Sequence, residues 1–178
     1  LRLALETLDI DAINEMIQEG AKQLAIPEND FIKNFEFYDS TLRLVLQAYE
    51  TRLVDVIEAY KRERKIPFST YYKELVENEK EKGIPEALAK ALNKTTINAI
   101  SILEELYKRG ADINHSTELW ANTGFGENAL NKEDQRPTIN VFEFLCSTIE
   151  ISRSYMLFNW ILEKEDLNLQ ALNSHKIL

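Results

Sequence analysis

A single cysteine, Cys146, is present in 178 residues. No internal disulfide can form, and a cysteine-based structural zinc site is excluded. Glycine numbers 5 and proline 4, too few for glycine-rich phosphate cradles or for an all-β fold built on many tight turns. No apolar run approaches the ~20 residues of a membrane-spanning helix. The best, Tyr155 to Leu162, is short and contains Asn159. Positive charge is scarce as well: 21 Lys and Arg against 30 Asp and Glu leave a net charge of −9. So acidic a chain has neither nucleic acid nor an anionic membrane as its default partner.

Apolar residues make up 44% and charged residues 29%, the balance of an ordered globular chain rather than a disordered one. The length suits one domain. The chain begins at Leu1 rather than Met, which reads as a fragment or a processed product. Cys146, between Leu145 and Ile149 in an apolar helix, reads as a small hydrophobe in a reducing compartment. A cytoplasmic location, with delivery into a host cell as a variant of it, is the expectation. Asn93-Lys94-Thr95 and Asn114-His115-Ser116 are glycosylation triplets that carry little weight without a secretory context.

The helical signals come in pairs. Leu1 to Thr7 is followed by Ala12 to Glu19, where Ala12, Ile13, Met16 and Ile17 fall on one face. Asp9 or Asp11 suits the cap and Gly20 the stop. After Ser40-Thr41, Leu42, Val45, Leu46 and Tyr49 form one stripe, and Leu53, Val54, Ile57 and Tyr60 the next. Lys61 to Lys65 reads as a solvated helix end, and Ser69 to Lys82 as an extra helix. Pro85 to Asn93 and Thr96 to Arg109, stopped by Gly110, make a third pair. Ile139 to Ile149 and Ser152 to Lys164, with Met156, Leu157, Trp160 and Ile161 inward, make a fourth. Residues 115–137 have no period and read as a long loop.

The pairs repeat. Leu1-Arg-Leu-Ala-Leu5 and Leu42-Arg-Leu-Val-Leu46 are nearly the same pentapeptide. Gly110-Ala-Asp-Ile-Asn114 follows one second helix, and Glu165-Asp-Leu-Asn168 stands in the same place after the last. This pattern resembles a degenerate ankyrin-repeat array, whose unit opens T-P-L-H-x-A-A and closes G-A-D-V-N. Arg2 and Arg43 stand where the family has its histidine, and the spacing between copies exceeds the family's ~33 residues. The resemblance implies a single all-α domain over 1–178, a helical-pair solenoid of about four repeats with insertions (1–40, 41–84, 85–137, 138–178). An irregular α-helical bundle is the alternative.

Chemistry has little to rest on. Gly124-Phe-Gly126-Glu-Asn-Ala129 matches a dinucleotide pattern but lacks the preceding buried strand. Cys146 lies far in sequence from His115 and His175, and no metal-binding motif occurs. The expectation is therefore no catalytic, cofactor or metal site. The resemblance implies a protein-binding module, of the kind found in bacterial and viral effectors, that grips a partner through turns and first helices. A regulatory or scaffold domain of a larger enzyme, and a small helical enzyme, are the alternatives. Partner-binding candidates are Tyr38, Asp39, Arg43, Gln47 and Glu143, with Trp120 and Phe125 as aromatic anchors in the long loop. Neither nucleic acid nor membrane insertion is expected. Self-association through the apolar C-terminal helix pair is.

Overall fold

The computed structural model describes residues 1–67, 69–70, 86–118, 138–152 and 155–169. These residues are mostly helical. In chain order they form α1 (Arg2–Thr7), α2 (Ile10–Leu24), α3 (Glu28–Glu36), α4 (Thr41–Glu63), α5 (Glu86–Lys108), strands β1 (Ser116–Glu118) and β2 (Thr138–Asn140), then α6 (Val141–Ser152) and α7 (Tyr155–Leu162). The strands pair antiparallel, Ser116 opposite Asn140, at the two ends of the stretch read as loop. The helix expected at Ser69 to Lys82 falls almost wholly outside the described residues.

Caps anticipated from sequence form as side-chain hydrogen bonds. Asp9 accepts from the Ala12 amide at 3.0 Å and starts α2, and Ser40 accepts from the Arg43 amide at 3.1 Å and starts α4. The stop expected at Gly20 does not occur. α2 continues to Leu24, and Gly20 serves close approach instead: a Cβ there would lie 2.3 Å from Cζ of Phe31. The Phe31 ring of α3, a helix the spacing does not predict, occupies that room.

The second and third helix pairs are also corrected. Each is one uninterrupted helix of 23 residues, α4 and α5, about 35 Å long. The polar steps that look like turns stay helical because no Gly or Pro interrupts them, and their hydroxyls are satisfied by bonds back to the preceding turn. Thr51 Oγ1 donates to the Gln47 carbonyl at 3.1 Å. Thr95 and Thr96 donate to the carbonyls of Ala91 and Leu92, both at 3.0 Å.

Helix α4 lies at the centre. It packs against α1, α3, α5 and α6, while α2 packs on α1 and α3, and α7 on α5. Leu42, Val45, Tyr49 and Leu53 of α4 meet a core that includes Leu5, Ile102, Leu103, Leu106, Ile113, Val141 and Leu145. Tyr49 Oη lies 2.7 Å from Thr96 Oγ1 in the buried α4–α5 seam. Met16, Val54 and Met156, predicted to face inward, are instead exposed. Lys61 departs from the solvated run read at 61–65: it is buried, and its Nζ donates to Glu58 at 2.8 Å.

Gly110 is the stop of α5, with φ +97°. An added Cβ would also come within 3.1 Å of Asn29 Cβ. Gly110→Ala is expected to destabilise the chain by at least ~1 kcal/mol in denaturant unfolding. An unchanged midpoint would show that this turn tolerates a side chain.

Candidate functional site

The turn between α3 and α4 is pinned on both sides of two aromatic residues. Before them, Glu36 is buried. Its Oε1 accepts from Thr41 Oγ1 at 2.9 Å and its Oε2 from the Asp112 amide at 3.0 Å. One carboxylate thus ties the end of α3 to the start of α4 and to the loop after α5. Burial pushes its pKa above the usual carboxylate value, against the opposing pull of those hydrogen bonds.

After them, Asp39 is also buried. Its Oδ1 accepts from the Ser40 amide at 2.9 Å and from Arg43 Nη2 at 2.6 Å, and its Oδ2 accepts from Arg2 Nη2 at 3.3 Å. Arg43 also donates to Gln47 Oε1, and Arg2 to Glu6 Oε1, each at 3.1 Å. Arg2 of α1 and Arg43 of α4 therefore meet on one carboxylate.

Between these clamps Phe37 and Tyr38 are 83% and 85% exposed, edge to face with ring centroids 5.3 Å apart. Beside them a cleft of about 470 Å³ is lined by Arg2 and Glu6 of α1 and by Leu44, Gln47, Ala48, Thr51, Arg52 and Asp55 of α4. The turn and the cleft join through Asp39, Arg43 and Gln47.

Four of the residues singled out from sequence, Tyr38, Asp39, Arg43 and Gln47, are thus brought together. Tyr38 and Gln47 are open to solvent, while Asp39 is inside and acts by holding the two arginines. Glu143 does not join them. It is buried in the first turn of α6, its amide donates to Asn140 Oδ1 at 2.8 Å, and its Oε2 has no hydrogen-bond partner. Its placement on an outward surface is corrected, because β2 and the Asn140 cap turn this part of α6 into the core. Trp120 and Phe125 lie outside the described residues. Sequence reasoning missed Phe37, Arg52 and Asp55. The available signal for Phe37 was two adjacent aromatics, off the helical period, directly before an N-cap.

A second polar cluster fastens α7 to α5. Glu104 Oε2 accepts from Lys164 Nζ at 2.6 Å and from Trp160 Nε1 at 2.8 Å, bonds that hold its pKa below the usual value. Lys164 Nζ lies 4.8 Å from the ring centroids of both Tyr107 and Trp160. Tyr107 Oη donates to Asp166 at 2.6 Å, which pushes its pKa up to about 12. Asn114 reaches the loop after α7 with both ends of its side chain: Nδ2 donates to the Asp166 carbonyl and Oδ1 accepts from the Asn168 amide, each at 2.7 Å.

Chemistry is not favoured at Cys146. Burial, and then Glu143, push its thiol pKa up, away from thiolate. Among the described residues no group of three or more His, Cys, Asp and Glu is placed to hold a metal ion, and no helix is long and apolar enough to cross a membrane. No family model, curated protein or solved structure matches the chain.

Glu36 makes the turn sensitive to pH. With a folded pKa above 4.5, the folded chain holds more protons than the unfolded one in that window. Stability should therefore fall as pH rises from about 4.5 through the folded value. Glu36→Gln keeps an acceptor for the Asp112 amide and an amide for Thr41 Oγ1 without the buried charge. Its melting temperature should equal or exceed that of the parent at pH 7 and lose this contribution to the slope. A slope identical to the parent's would show that Glu36 does not titrate there.

Proposed function

We propose that the chain is a protein-interaction module whose contact surface is the Phe37–Tyr38 turn together with the cleft between α1 and α4. The observation that carries this is the exposed ring pair. Two large aromatic side chains stand in water although ~25 cal/mol per Å² would favour their burial. The clamps at Glu36 and Asp39 hold the backbone on either side, so the rings are presented rather than loose. Aromatic anchors of this kind contribute most to the affinity of protein interfaces.

The repeat resemblance supports the same surface, since turns and first helices are where such arrays bind. Two features favour an array of this kind: the equivalent positions of Arg2 and Arg43 on Asp39, and the Asn114 bridge between the loops that end two successive units. The unbroken α4 and α5 lack the two-helix form of such a unit and, with α1, α3, α5 and α6 packed around α4, favour the alternative of an irregular α-helical bundle. No step of catalysis is asked of any residue.

A second reading, self-association, draws on α7. It carries no charge, and Tyr155, Met156 and Leu162 are exposed on it, although Trp160 is buried and Phe158 packs edge to face on Phe142 at 6.3 Å. Sedimentation of the parent and of Met156→Glu separates the two readings. A dimer that dissolves in the variant supports self-association there, and a monomer in both removes it.

For the main reading, Phe37→Ala and Tyr38→Ala should each weaken a partner by ~2 kcal/mol, or about thirtyfold. Because both rings are exposed, their melting temperatures should stay within about 1–2 °C of the parent. Unchanged affinity in the double variant would remove the turn from the interface.

A further inference from the structure

Glu36 is a buried carboxyl with no cation on it. It is 3% exposed, and both of its bonds come from neutral donors, Thr41 Oγ1 on α4 and the Asp112 amide after α5. The cations of the neighbouring elements are committed elsewhere. Arg43 of α4 and Arg2 of α1 pair with Asp39, and Arg109, just past α5, pairs with Glu28 and Glu105. Lys33, on the same helix as Glu36, is exposed and makes no ion pair with any described residue. From α2, Ile13 and Ile17 are buried, while Glu15, Glu19 and Lys22 stay at the surface. The charge that does face Glu36 is a second carboxylate, that of Asp112.

A proton relieves this arrangement without breaking the clamp. As a neutral carboxyl, Glu36 still accepts from the Asp112 amide through Oε2, and its Oε1 and Thr41 Oγ1 share a hydrogen in either sense. As a carboxylate it carries a charge that burial penalises. Water is one residue away, because Phe37 and Tyr38 are exposed, and releasing Thr41 and the Asp112 amide takes the charge there. Little else fixes this end of α3. Of its 9 residues Ile32 and Glu36 are the buried ones, with Phe31 and Phe35 partly so.

We infer that the proton on Glu36 gates the Phe37–Tyr38 surface. Protonated, Glu36 locks α3, α4 and the loop after α5 together and presents the rings in one arrangement. Ionised, it frees the turn, and a partner must then re-order it at a cost in affinity. This rests on the interaction surface proposed above and names its regulation. The direction follows from linkage. Burial makes the carboxyl titrate higher in the clamp than in the open turn, so the clamp is favoured below the clamped midpoint and opening above it. Each pH unit between the two midpoints makes the ionised turn about tenfold easier to open. The surface is therefore firm in mild acid and loose once Glu36 has lost its proton.

NMR of the full chain tests this with no partner present. The carboxyl carbon of Glu36 should titrate with a midpoint above 4.5. Through that midpoint the Asp112 amide should lose at least about threefold of its protection, corrected for the intrinsic exchange rate. It should also exchange faster than the amide of Leu103, fully buried in α5, which waits for wider unfolding. Glu36→Gln should show no such loss. A midpoint at or below 4.5, constant protection through the titration, equal exchange at Asp112 and Leu103, or the same loss in Glu36→Gln would each overturn the gate. The first three are read on the parent chain, so they decide the matter even where the variant does not fold. A peptide selected from a random phage-displayed library at neutral pH separates the gate from the surface. Glu36→Gln should bind it at least about threefold more tightly than the parent does at that pH. A peptide that needs Phe37 and Tyr38 yet binds both chains alike overturns the gate and leaves the surface standing. Peptides indifferent to both rings overturn the surface, whatever the titration of Glu36 shows.

Discussion

Helix α4 has buried side chains on several sides of its opening turns, at Thr41, Leu42, Leu44, Val45, Leu46 and Tyr49. A helix that is apolar over so much of its circumference has to be enclosed rather than laid on a surface. That requirement brings α1, α3, α5 and α6 around it. The entry to α4 then becomes a point where several elements meet, and the polar groups caught there must be paired because a bare buried carboxylate is costly. Glu36 and Asp39 are the two carboxylates concerned, and each binds groups from more than one element.

The aromatic turn follows from this pairing. Residues 36 and 39 face inward to reach their donors, and the two residues between them face outward. Farther along α4 the burial narrows to one side, at Leu53 and Ile57, and the opposite side is free to carry Thr51, Arg52 and Asp55. The same helix thus supplies the centre of the core at one end and an open polar wall toward the other.

Much of this was legible in the residues, and the parts that were not have a common cause. Helix α1, the cap at Asp9, the cap at Ser40 and the inward Leu157, Trp160 and Ile161 all announce themselves by period or by cap chemistry. Helix ends that use glycine do so too, as at Gly110. Among the described residues three other left-handed turns are made by Leu8, Ala25 and Lys65, residue types that rarely take that conformation and cost roughly 1–2 kcal/mol there. Tertiary packing holds at least one of them: Leu8 is buried in the core. Such stops are invisible to a search for Gly and Pro. Conversely, Gly20 looks like a stop and is a landing place for Phe31. The breaks read into α4 and α5 rested on polar residues alone, which a helix absorbs when their hydroxyls bond back to its own carbonyls. At the proposed surface, Tyr38, Arg43 and Gln47 were singled out from sequence as residues that flank and open a helix. Arg52 and Asp55 were not, because no period or cap marks them, and the cleft they line arises only when α1 packs beside α4.

The central position of α4 also bears on how the chain reaches its native state. In a one-dimensional stack each unit needs only its neighbour, so folding can start anywhere and spread. Here α4 needs α1 from well before it in sequence and α6 from about a hundred residues after it. Contacts closed over such distances slow the search for the native arrangement, since the loop entropy is lost before the contacts form. They also join segments far apart in the chain into one cooperative unit, so removing either α1 or α6 withdraws cover from the same central helix.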